Sequence, residues 1–326
     1  MNKLTKIGVS ALCGSLASVA AANAGSMDVT GSASASYTSL SDTVVGNPLG
    51  MATGLTFTGN GELENGATFK VTIANTNKNV YSSSSIALTT PSLGTFTYDE
   101  GGGTGIDRID DMMPTAWEET TGTGLATGLR TVSGAGGNTD IEWNVGMGLP
   151  DGMNVYASFA PRPDATKNTN KSVGGSSTIE GNGWDIVLTH SGLLDGLNVF
   201  AGLSQIDQNP GLGDRDGEIY GATYAIGGAT VGYQRSEEDN VDAAGKYYEN
   251  DAYAISYSVN DDLAISYGVH ESKSSSTGAT LEAESIQISY SVGGASIVLA
   301  ETSVDNQNYA AGVNREGRTV AVTLAF

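Results

Sequence analysis

The last nine residues of the chain alternate between apolar and polar side chains. Val320, Val322 and Leu324 take every second position, and the segment ends on the aromatic Phe326. A period of two is that of a β-strand with one apolar face. The segment 27–38 alternates in the same way. We expect these two segments to pair and close a barrel, because an open strand edge in lipid leaves backbone N–H and C=O groups without partners.

Residues 1–24 have the features of a secretory signal peptide. Two lysines precede the apolar stretch 7–19, and Ala22-Asn23-Ala24 forms an A-x-A cleavage site. The only cysteine in the sequence, Cys13, lies inside this leader and is not followed by mature sequence, which favours a cleaved leader over a lipoprotein anchor. The mature part, 25–326, then has no thiol, which excludes disulfides, thiol catalysis and zinc–thiolate sites.

Charge and hydropathy exclude further classes of protein. The formal net charge is -21, and loss of the two leader lysines makes that of the mature part -23. Nucleic acid is not an expected partner at this charge. The mean hydropathy is -0.13, and after the leader no segment has the run of about 18 apolar residues that a spanning helix needs. These values do not exclude a transmembrane barrel, because only alternate residues of its strands face lipid.

Sixteen short alternating segments follow the leader, and two classes of connection alternate strictly between them. The short connections contain Asn-Gly, Pro-Asp-Gly and Gly-Gly, which supply the positive φ of hairpin turns. We expect seven tight turns, at 64–66, 90–94, 149–152, 191–196, 227–228, 260–262 and 293–294. We expect eight longer loops, at about 40–50, 75–80, 99–138, 160–181, 205–216, 235–250, 270–280 and 302–315. An even number of strands with both termini on the tight-turn side is typical of an outer-membrane barrel.

The alternation alone does not assign the two faces of the strands, because a soluble β-sandwich would turn its apolar face inward. The number of strands decides between the two. Sixteen strands enclose a lumen too wide to be filled by Ser and Thr side chains, so we expect a water-filled interior and an apolar outer face. The sequence therefore predicts an all-β fold, a sixteen-stranded antiparallel transmembrane β-barrel.

The third long loop, 99–138, is longer than the other connections, and a loop of this length is uncommon unless it is functional. Sixteen strands, a terminal Phe326, a signal peptide and a loop that begins Tyr98-Asp99-Glu100-Gly101-Gly102 resemble the trimeric general diffusion porins of Gram-negative outer membranes. The resemblance covers the whole mature chain. It implies that the third outer loop folds into the barrel and narrows it, with acidic groups opposite basic side chains on the wall. It also implies that Phe326 is an assembly signal.

The resemblance carries over only in part to the residues of the predicted pore constriction. The loop has the acidic residues, namely Asp107, Asp110, Asp111, Glu118 and Glu119. Basic residues are few. Lys70 lies between the apolar residues Phe69 and Val71, so the alternation of the strand predicts that Lys70 faces the lumen. Arg108 and Arg130 lie in the loop. Asp140 and Glu142 also face inward, where a basic wall would be expected. A constriction lined mainly by carboxylates favours cations.

Two other interpretations of the acidic loop stay open. Acidic loops are often only solvated segments without a role in a pore. Clustered Asp and Glu side chains are also the hard oxygen donors that Ca²⁺ takes, although the sequence has no EF-hand or repeat spacing. Apart from this calcium alternative, we expect no cofactor.

Candidate catalytic residues are scarce. His190 lies beside a tight turn and His270 opens an outer loop, and the adjacency of Ser191 to His190 does not make a catalytic pair. The sequence contains no phosphate loop, dinucleotide fingerprint, HExxH or GxSxG motif. We expect structural or solvent-facing roles for both histidines and no enzymatic activity.

Together these features predict a homotrimeric channel in the outer membrane for passive diffusion of small hydrophilic solutes and ions, with a preference for cations. Its expected partners are these solutes and the lipid of the membrane. The alternatives are a substrate-selective uptake barrel, a non-conducting surface barrel or adhesin whose loops bind a partner, and an outer-membrane hydrolase. Single-channel conductance separates the two transport functions from the others, and a saturable current separates a selective pore from a general one.

Overall fold

The computed structural model describes residues 24–41, 47–77, 82–100, 103–122, 124–161, 163, 181–241 and 243–325. Residues 1–23 and Phe326 lie outside the described residues, so the signal peptide and the assembly signal stay predictions. Within the described ranges, no helix is long and apolar enough to cross a membrane.

The chain forms one closed antiparallel barrel of sixteen strands, in which sequence neighbours are hydrogen-bonded neighbours. This confirms the predicted fold. The strands are β1 (Ala24–Leu40), β2 (Leu49–Glu62), β3 (Thr68–Thr76), β4 (Ser83–Thr90), β5 (Gly94–Glu100), β6 (Asp140–Val145), β7 (Met153–Ala160), β8 (Gly183–His190), β9 (Leu197–Ile206), β10 (Arg215–Ile226), β11 (Ala229–Glu238), β12 (Tyr248–Ser258), β13 (Leu263–Ser274), β14 (Thr280–Val292), β15 (Ala295–Asp305) and β16 (Arg315–Ala325). Two short 3₁₀ helices, Gly105–Ile109 and Gln307–Tyr309, lie in the loops.

The barrel closes between its first and last strands, as the alternation at the two ends predicts. β16 runs antiparallel to β1, with Ala325 opposite Ser32 and Gly317 opposite Leu40. The other edge of β1 pairs with β2, and the other edge of β16 pairs with β15. Neither terminal strand therefore presents an open edge to the surroundings.

Tight turns and long loops alternate around the barrel as predicted. Turn chemistry explains the tight connections locally. In the turn between β2 and β3, Gly66 has φ +79°, and the Asn65 side chain accepts a hydrogen bond from the backbone N–H of Ala67 at 3.1 Å. β10 and β11 are joined by Gly227 and Gly228 alone. The long connections join strand ends at the opposite end of the barrel.

The two faces of the strands differ in the way that a barrel in lipid requires. On β14, Ile286 and Ile288 are 55% and 40% exposed, whereas Gln287 between them is fully buried. The same alternation places apolar side chains on the outside of the neighbouring strands, including Ile265 and Ile297. The exposed apolar face is the outer face, because the buried polar positions contact a loop inside the barrel.

Strand length differs around the barrel. β4 to β7 have six to eight residues each. β10 to β16 have ten to thirteen residues each. The wall is therefore low on one side and high on the other.

Candidate functional site

The connection between β5 and β6, residues 101–139, is called the long loop below, and all of it except 101, 102 and 123 is described. Its backbone N–H groups donate hydrogen bonds to polar side chains on five strands. The acceptors are Glu142 on β6, Asp185 on β8, Gln234 on β11, Ser266 on β13 and Gln287 on β14. These acceptors alternate with exposed apolar residues of the same strands. The long loop therefore packs against the inner wall of the barrel across more than half of its circumference.

The first turn of the long loop is fixed by wall carboxylates. Glu142 accepts a hydrogen bond from the Gly105 N–H at 2.8 Å and forms an ion pair with Arg108. Asp140 accepts a hydrogen bond from the Thr104 hydroxyl at 2.8 Å. Both carboxylates face the lumen, as the alternation of β6 predicts. Asp140 is only 1% exposed and Glu142 only 3%, because the loop covers them. Their position makes them supports of the loop rather than groups in contact with solute.

Asp185 is a wall carboxylate bonded, among the described residues, by backbone N–H groups alone. It accepts hydrogen bonds from the N–H groups of Ile106 at 3.0 Å, Ala135 at 2.9 Å and Gly136 at 2.8 Å, and it is fully buried. The chain approaches this side chain closely. Gly105 has φ +53°, and a Cβ atom on it would lie 2.1 Å from Asp185 Oδ2, so a larger residue there would have to displace the carboxylate.

Apolar contacts hold the same part of the long loop. Ile106, Ile109 and Val132 of the loop pack against Val187, Phe200 and Ile219, which are lumen-facing residues of β8, β9 and β10. All six side chains are at most 3% exposed. The inner face of the wall is therefore apolar where the loop covers it.

A second apolar cluster anchors the far end of the long loop. Leu125 is buried with Leu281 of β14, Val304 of β15 and Tyr309 of the last outer loop. That last loop also bonds the long loop directly. The Asn308 N–H donates to the Thr127 carbonyl at 3.0 Å, and the Arg130 N–H donates to Tyr309 Oη at 3.2 Å.

The part of the loop between these two anchors carries the predicted acidic residues, and we call residues 107–119 the acidic arc. Glu118 and Glu119 are exposed, and Asp107, Asp110 and Asp111 are partly exposed. The arc is held by side-chain amides. Gln287 Oε1 accepts from the N–H groups of Trp117 at 3.0 Å and Glu118 at 3.1 Å. Its Nε2 donates to the Glu118 carbonyl at 2.7 Å.

The carboxyl groups of the acidic arc hold their protons more tightly than isolated carboxyl groups do. Burial, followed by the charges of Asp107, Glu119 and Asp111, raises the pKa of Asp110 to about 7. Burial is also the main cause that raises the pKa of each of the other four. The neighbouring charges Asp111, Glu118 and Asp107 add to the rise at Glu119. The arc is thus an electrostatically coupled cluster of like charges.

The predicted basic residues do not come together into a ladder. Arg108 is paired with Glu142, and its guanidinium lies 4.2 Å from the centre of the Tyr156 ring. Arg130 lies 5.8 Å from the Tyr248 ring at the far end of the loop. Lys70 is exposed on β3, between the outward-facing Phe69 and Val71, as parity predicts. The strand positions opposite Lys70 are Asn60 and Ala87.

The wall formed by β1 to β5 carries mainly hydroxyl groups on its inner face. Its register groups Thr30 with Thr56, Thr58 with Thr72, and Thr72 with Ser85. Among the described lumen-facing positions of these five strands, Lys70 is the single basic side chain. The acidic arc is therefore not matched by a basic wall on this side.

The histidines lie apart, on β8 and β13. His190 Nδ1 accepts a hydrogen bond from the Gly192 N–H at 2.9 Å within its turn, and His270 is buried. Within the described ranges, no group of three or more His, Asp or Glu side chains is arranged to hold a metal ion. The described residues therefore offer no site for calcium, and calcium binding stays an untested prediction.

Comparisons with known proteins agree with this architecture. The family model for Gram-negative porins matches residues 8–323. OmpF of Salmonella typhi, solved in complex with daunomycin, is 15% identical with a TM-score of 0.70, over 92% of this chain and 97% of that one. A porin refined at 1.8 Å resolution is 15% identical with a TM-score of 0.64, over 92% and 100%. OmpT of Vibrio cholerae, in a trimer form, is 13% identical with a TM-score of 0.60, over 93% and 100%.

A comparison with curated protein sequences found no match. At 13–15% identity the solved structures show the fold alone. The family model, in contrast, covers nearly the whole sequence. This chain therefore belongs to the Gram-negative porin family and forms a passive-diffusion channel in the outer membrane.

Proposed function

We propose that the channel prefers cations and that the acidic arc lines its narrowest part. The carboxylates concerned are Asp107, Asp110, Asp111, Glu118 and Glu119. The observation that carries the proposal is the imbalance of charge around the arc. Its five carboxylates are at least partly exposed, whereas Arg108 is neutralised by Glu142 and the facing wall offers Lys70 among hydroxyl groups.

The physical consequence is a higher concentration of cations than of anions near the arc. Fixed charge of one sign in a narrow aqueous space attracts its counter-ion and repels ions of like charge. The range of this effect is about 10 Å at 0.1 M salt and about 3 Å at 1 M salt. A preference that arises from the arc should therefore weaken as the salt concentration rises.

The test is the reversal potential of the purified protein in a planar bilayer under a salt gradient. Replacing Asp110 and Asp111 by Asn keeps the size of both side chains and, in recordings above pH 8, removes two negative charges. We expect the reversal potential to move toward zero, with little change in conductance. The matched control replaces Asp261 and Asp262, an exposed pair in the tight turn between β12 and β13, by Asn. This control should leave the reversal potential unchanged.

Two results would contradict the proposal. Anion preference of the unmodified protein would indicate that Lys70, Arg108 and Arg130 dominate the field in the pore. Equal selectivity of the Asp110/Asp111 variant and the unmodified protein would indicate that the arc does not line the path of ions. The same recordings with increasing concentrations of a test solute separate a general pore from a substrate-selective one, because only the latter gives a saturating current.

We also propose that the channel assembles as a homotrimer through its low wall. One similar solved structure, OmpT of Vibrio cholerae, is described as a trimer form. Strands of six to eight residues that tilt by about 40° reach a height of roughly 15–20 Å, which is less than the apolar band of about 25 Å on such barrels. A neighbouring subunit against β4 to β7 would shield this side from lipid. Chemical cross-linking should give a trimer, and each insertion into a bilayer should add three equal conductance steps.

A further inference from the structure

Asp185 joins two parts of the long loop that are distant in sequence. Ile106 belongs to the outgoing part of the loop, and Ala135 and Gly136 belong to its return. All three donate a backbone N–H to the carboxylate of Asp185, at 2.8 to 3.0 Å. A carboxylate that accepts several N–H groups in a buried place makes stronger hydrogen bonds than a neutral acceptor does. One side chain of the wall therefore closes the base of the loop.

The closed base determines where the acidic arc begins. Asp107 directly follows Ile106, and Ile106 and Ile109 are buried against the wall beside Asp185. Farther along, the arc contacts the wall through neutral side chains, such as Gln234, which accepts from the Met112 N–H at 3.0 Å. Neutral hydrogen bonds of this kind are weaker than hydrogen bonds to a charged group. The base is thus held by the carboxylates of Asp185 and Glu142, and Asp185 is the one that accepts N–H groups from both the outgoing and the returning part of the loop.

We infer that Asp185 is a positioning residue of the channel: it fixes the long loop to β8, and through the loop it sets the distance of the acidic arc from the path of ions. Asp185 is fully buried and does not contact solute itself. The part of this inference that concerns ion selectivity rests on the proposed function of the arc. The part that concerns fixing the loop does not.

The first test is the replacement of Asp185 by Asn. Asn keeps the shape of the side chain, but it places an NH₂ group where a carboxylate oxygen accepts N–H groups, so at least one donor loses its partner. We expect the open-channel current noise to rise and the cation-to-anion permeability ratio to fall, each by about twofold or more, because a buried N–H group without its acceptor destabilises the anchored position of the loop. The matched control is Asp216→Asn. Asp216 is exposed on β10 and accepts a side-chain hydrogen bond from Gln205 at 2.9 Å.

A tether provides a rescue experiment that a general loss of stability would not pass. A Cβ atom on Gly268 of β13 would lie 3.5 Å from the Cβ atom of Thr120, the residue that directly follows the arc. This distance lies within the range of disulfides, about 3.5–4.5 Å. The predicted mature chain has no other cysteine, so Thr120→Cys with Gly268→Cys gives a single defined bridge. In the Asp185→Asn background, oxidation should lower the noise toward that of the unmodified protein. A reductant, which breaks the bridge, should raise the noise again.

The outcomes separate this inference from the proposed function. Increased noise that the tether reverses, without a change in selectivity, supports the anchor and contradicts the role of the arc in selectivity. Noise and selectivity equal to those of the unmodified protein contradict the role of Asp185 as an anchor, and so does a change that the tether fails to reverse.

If Asp185→Asn forms no channels, hydrogen exchange of the unmodified protein tests the anchor instead. Peptides 104–107 and 134–137 should exchange as slowly as the strands, and exchange as fast as that of the exposed loop 275–279 overturns the inference.

Discussion

Arg108 of the long loop forms an ion pair with Glu142 of β6, and its guanidinium lies over the ring of Tyr156 at 4.2 Å. Glu142 is 3% exposed, whereas the Arg108 side chain is 32% exposed. The pair therefore lies at the boundary between the wall and the lumen. It removes one of the few basic groups near the acidic arc from the electrostatic balance of the pore. Among the described residues, Glu142 is the one carboxylate that pairs with Arg108.

The first prediction concerns this pair. Glu142→Gln should lower the free energy of unfolding by about 1–3 kcal/mol, because it leaves Arg108 without its counter-charge and weakens the bond to Gly105. The partial exposure of Arg108 keeps the loss below that of a fully buried pair. Cation preference should fall as well, since the charge of Arg108 is no longer cancelled. Urea unfolding in detergent and the reversal potential measure the two effects.

The control for this prediction is Glu301→Gln on the outer surface. Glu301 pairs with Arg318 at 2.8 Å, and both side chains are more than half exposed. Such a pair contributes about 0–1 kcal/mol. A loss of stability in Glu301→Gln as large as that in Glu142→Gln would show that the buried position of Glu142 has no special effect.

The second prediction concerns the apolar anchor at the far end of the long loop. Leu125 is 3% exposed and packs with Leu281, Val304 and Tyr309. Leu125→Ala should lower the local stability of this anchor by about 2–5 kcal/mol, because it leaves a cavity. Protease cleavage of the long loop should accelerate accordingly. Leu193→Ala, in a tight turn where Leu193 is 63% exposed, should leave the cleavage rate unchanged.

The barrel could be predicted from the sequence because its signals are local. The alternation at Val320, Val322 and Leu324 requires only neighbouring residues to be interpreted, and Gly227-Gly228 specifies a turn by its own backbone freedom. Closure between β1 and β16 followed from the need to remove open edges. The same alternation gives Asp140 and Glu142 the inward direction that their bonds to the long loop require, and it predicts that direction for Lys70.

The supports of the loop could not be predicted in the same way, because they depend on contacts between distant segments. Parity gives the direction of Asp140 and Glu142 but not the loop that covers them. Asp185 was missed, since a polar residue at an inward position is ordinary in such a strand. One signal was present: Ile186-Val187-Leu188 is apolar on both faces. Such a run marks a wall position that is covered from inside as well as outside.

The third prediction concerns the terminal aromatic, whose role follows from the family resemblance. Deleting Phe326 should reduce the amount of protein assembled in the outer membrane more than the yield of refolding in detergent, because an assembly signal acts only in the cell. Fractionation of membranes and refolding of purified protein measure the two quantities. Normal membrane levels of the shortened chain would leave Phe326 with no more than a role as an interfacial aromatic.

The last prediction concerns the pH dependence of selectivity. The pKa of Asp110 is raised to about 7, first by burial and then by the charges of Asp107, Glu119 and Asp111. A raised pKa means that the carboxyl group takes up its proton as the pH falls through about 7, and that the arc then loses negative charge. Cation preference should therefore be highest above pH 8 and should decrease between pH 8 and pH 6. The other four carboxyl groups of the arc also have raised pKa values, so the decrease should continue at lower pH.

The measurement is the reversal potential at a fixed salt gradient from pH 5 to pH 9. The Asp110→Asn variant tests whether Asp110 causes the change in selectivity between pH 8 and pH 6. The variant removes the group that titrates near pH 7. Its selectivity should be lower than that of the unmodified protein above pH 8 and nearly constant between pH 8 and pH 6. The two proteins should converge at pH 6 and below, because the unmodified Asp110 is then neutral as well. A selectivity of the unmodified channel that stays constant from pH 6 to pH 8 would show that Asp110 does not act on the ions that pass.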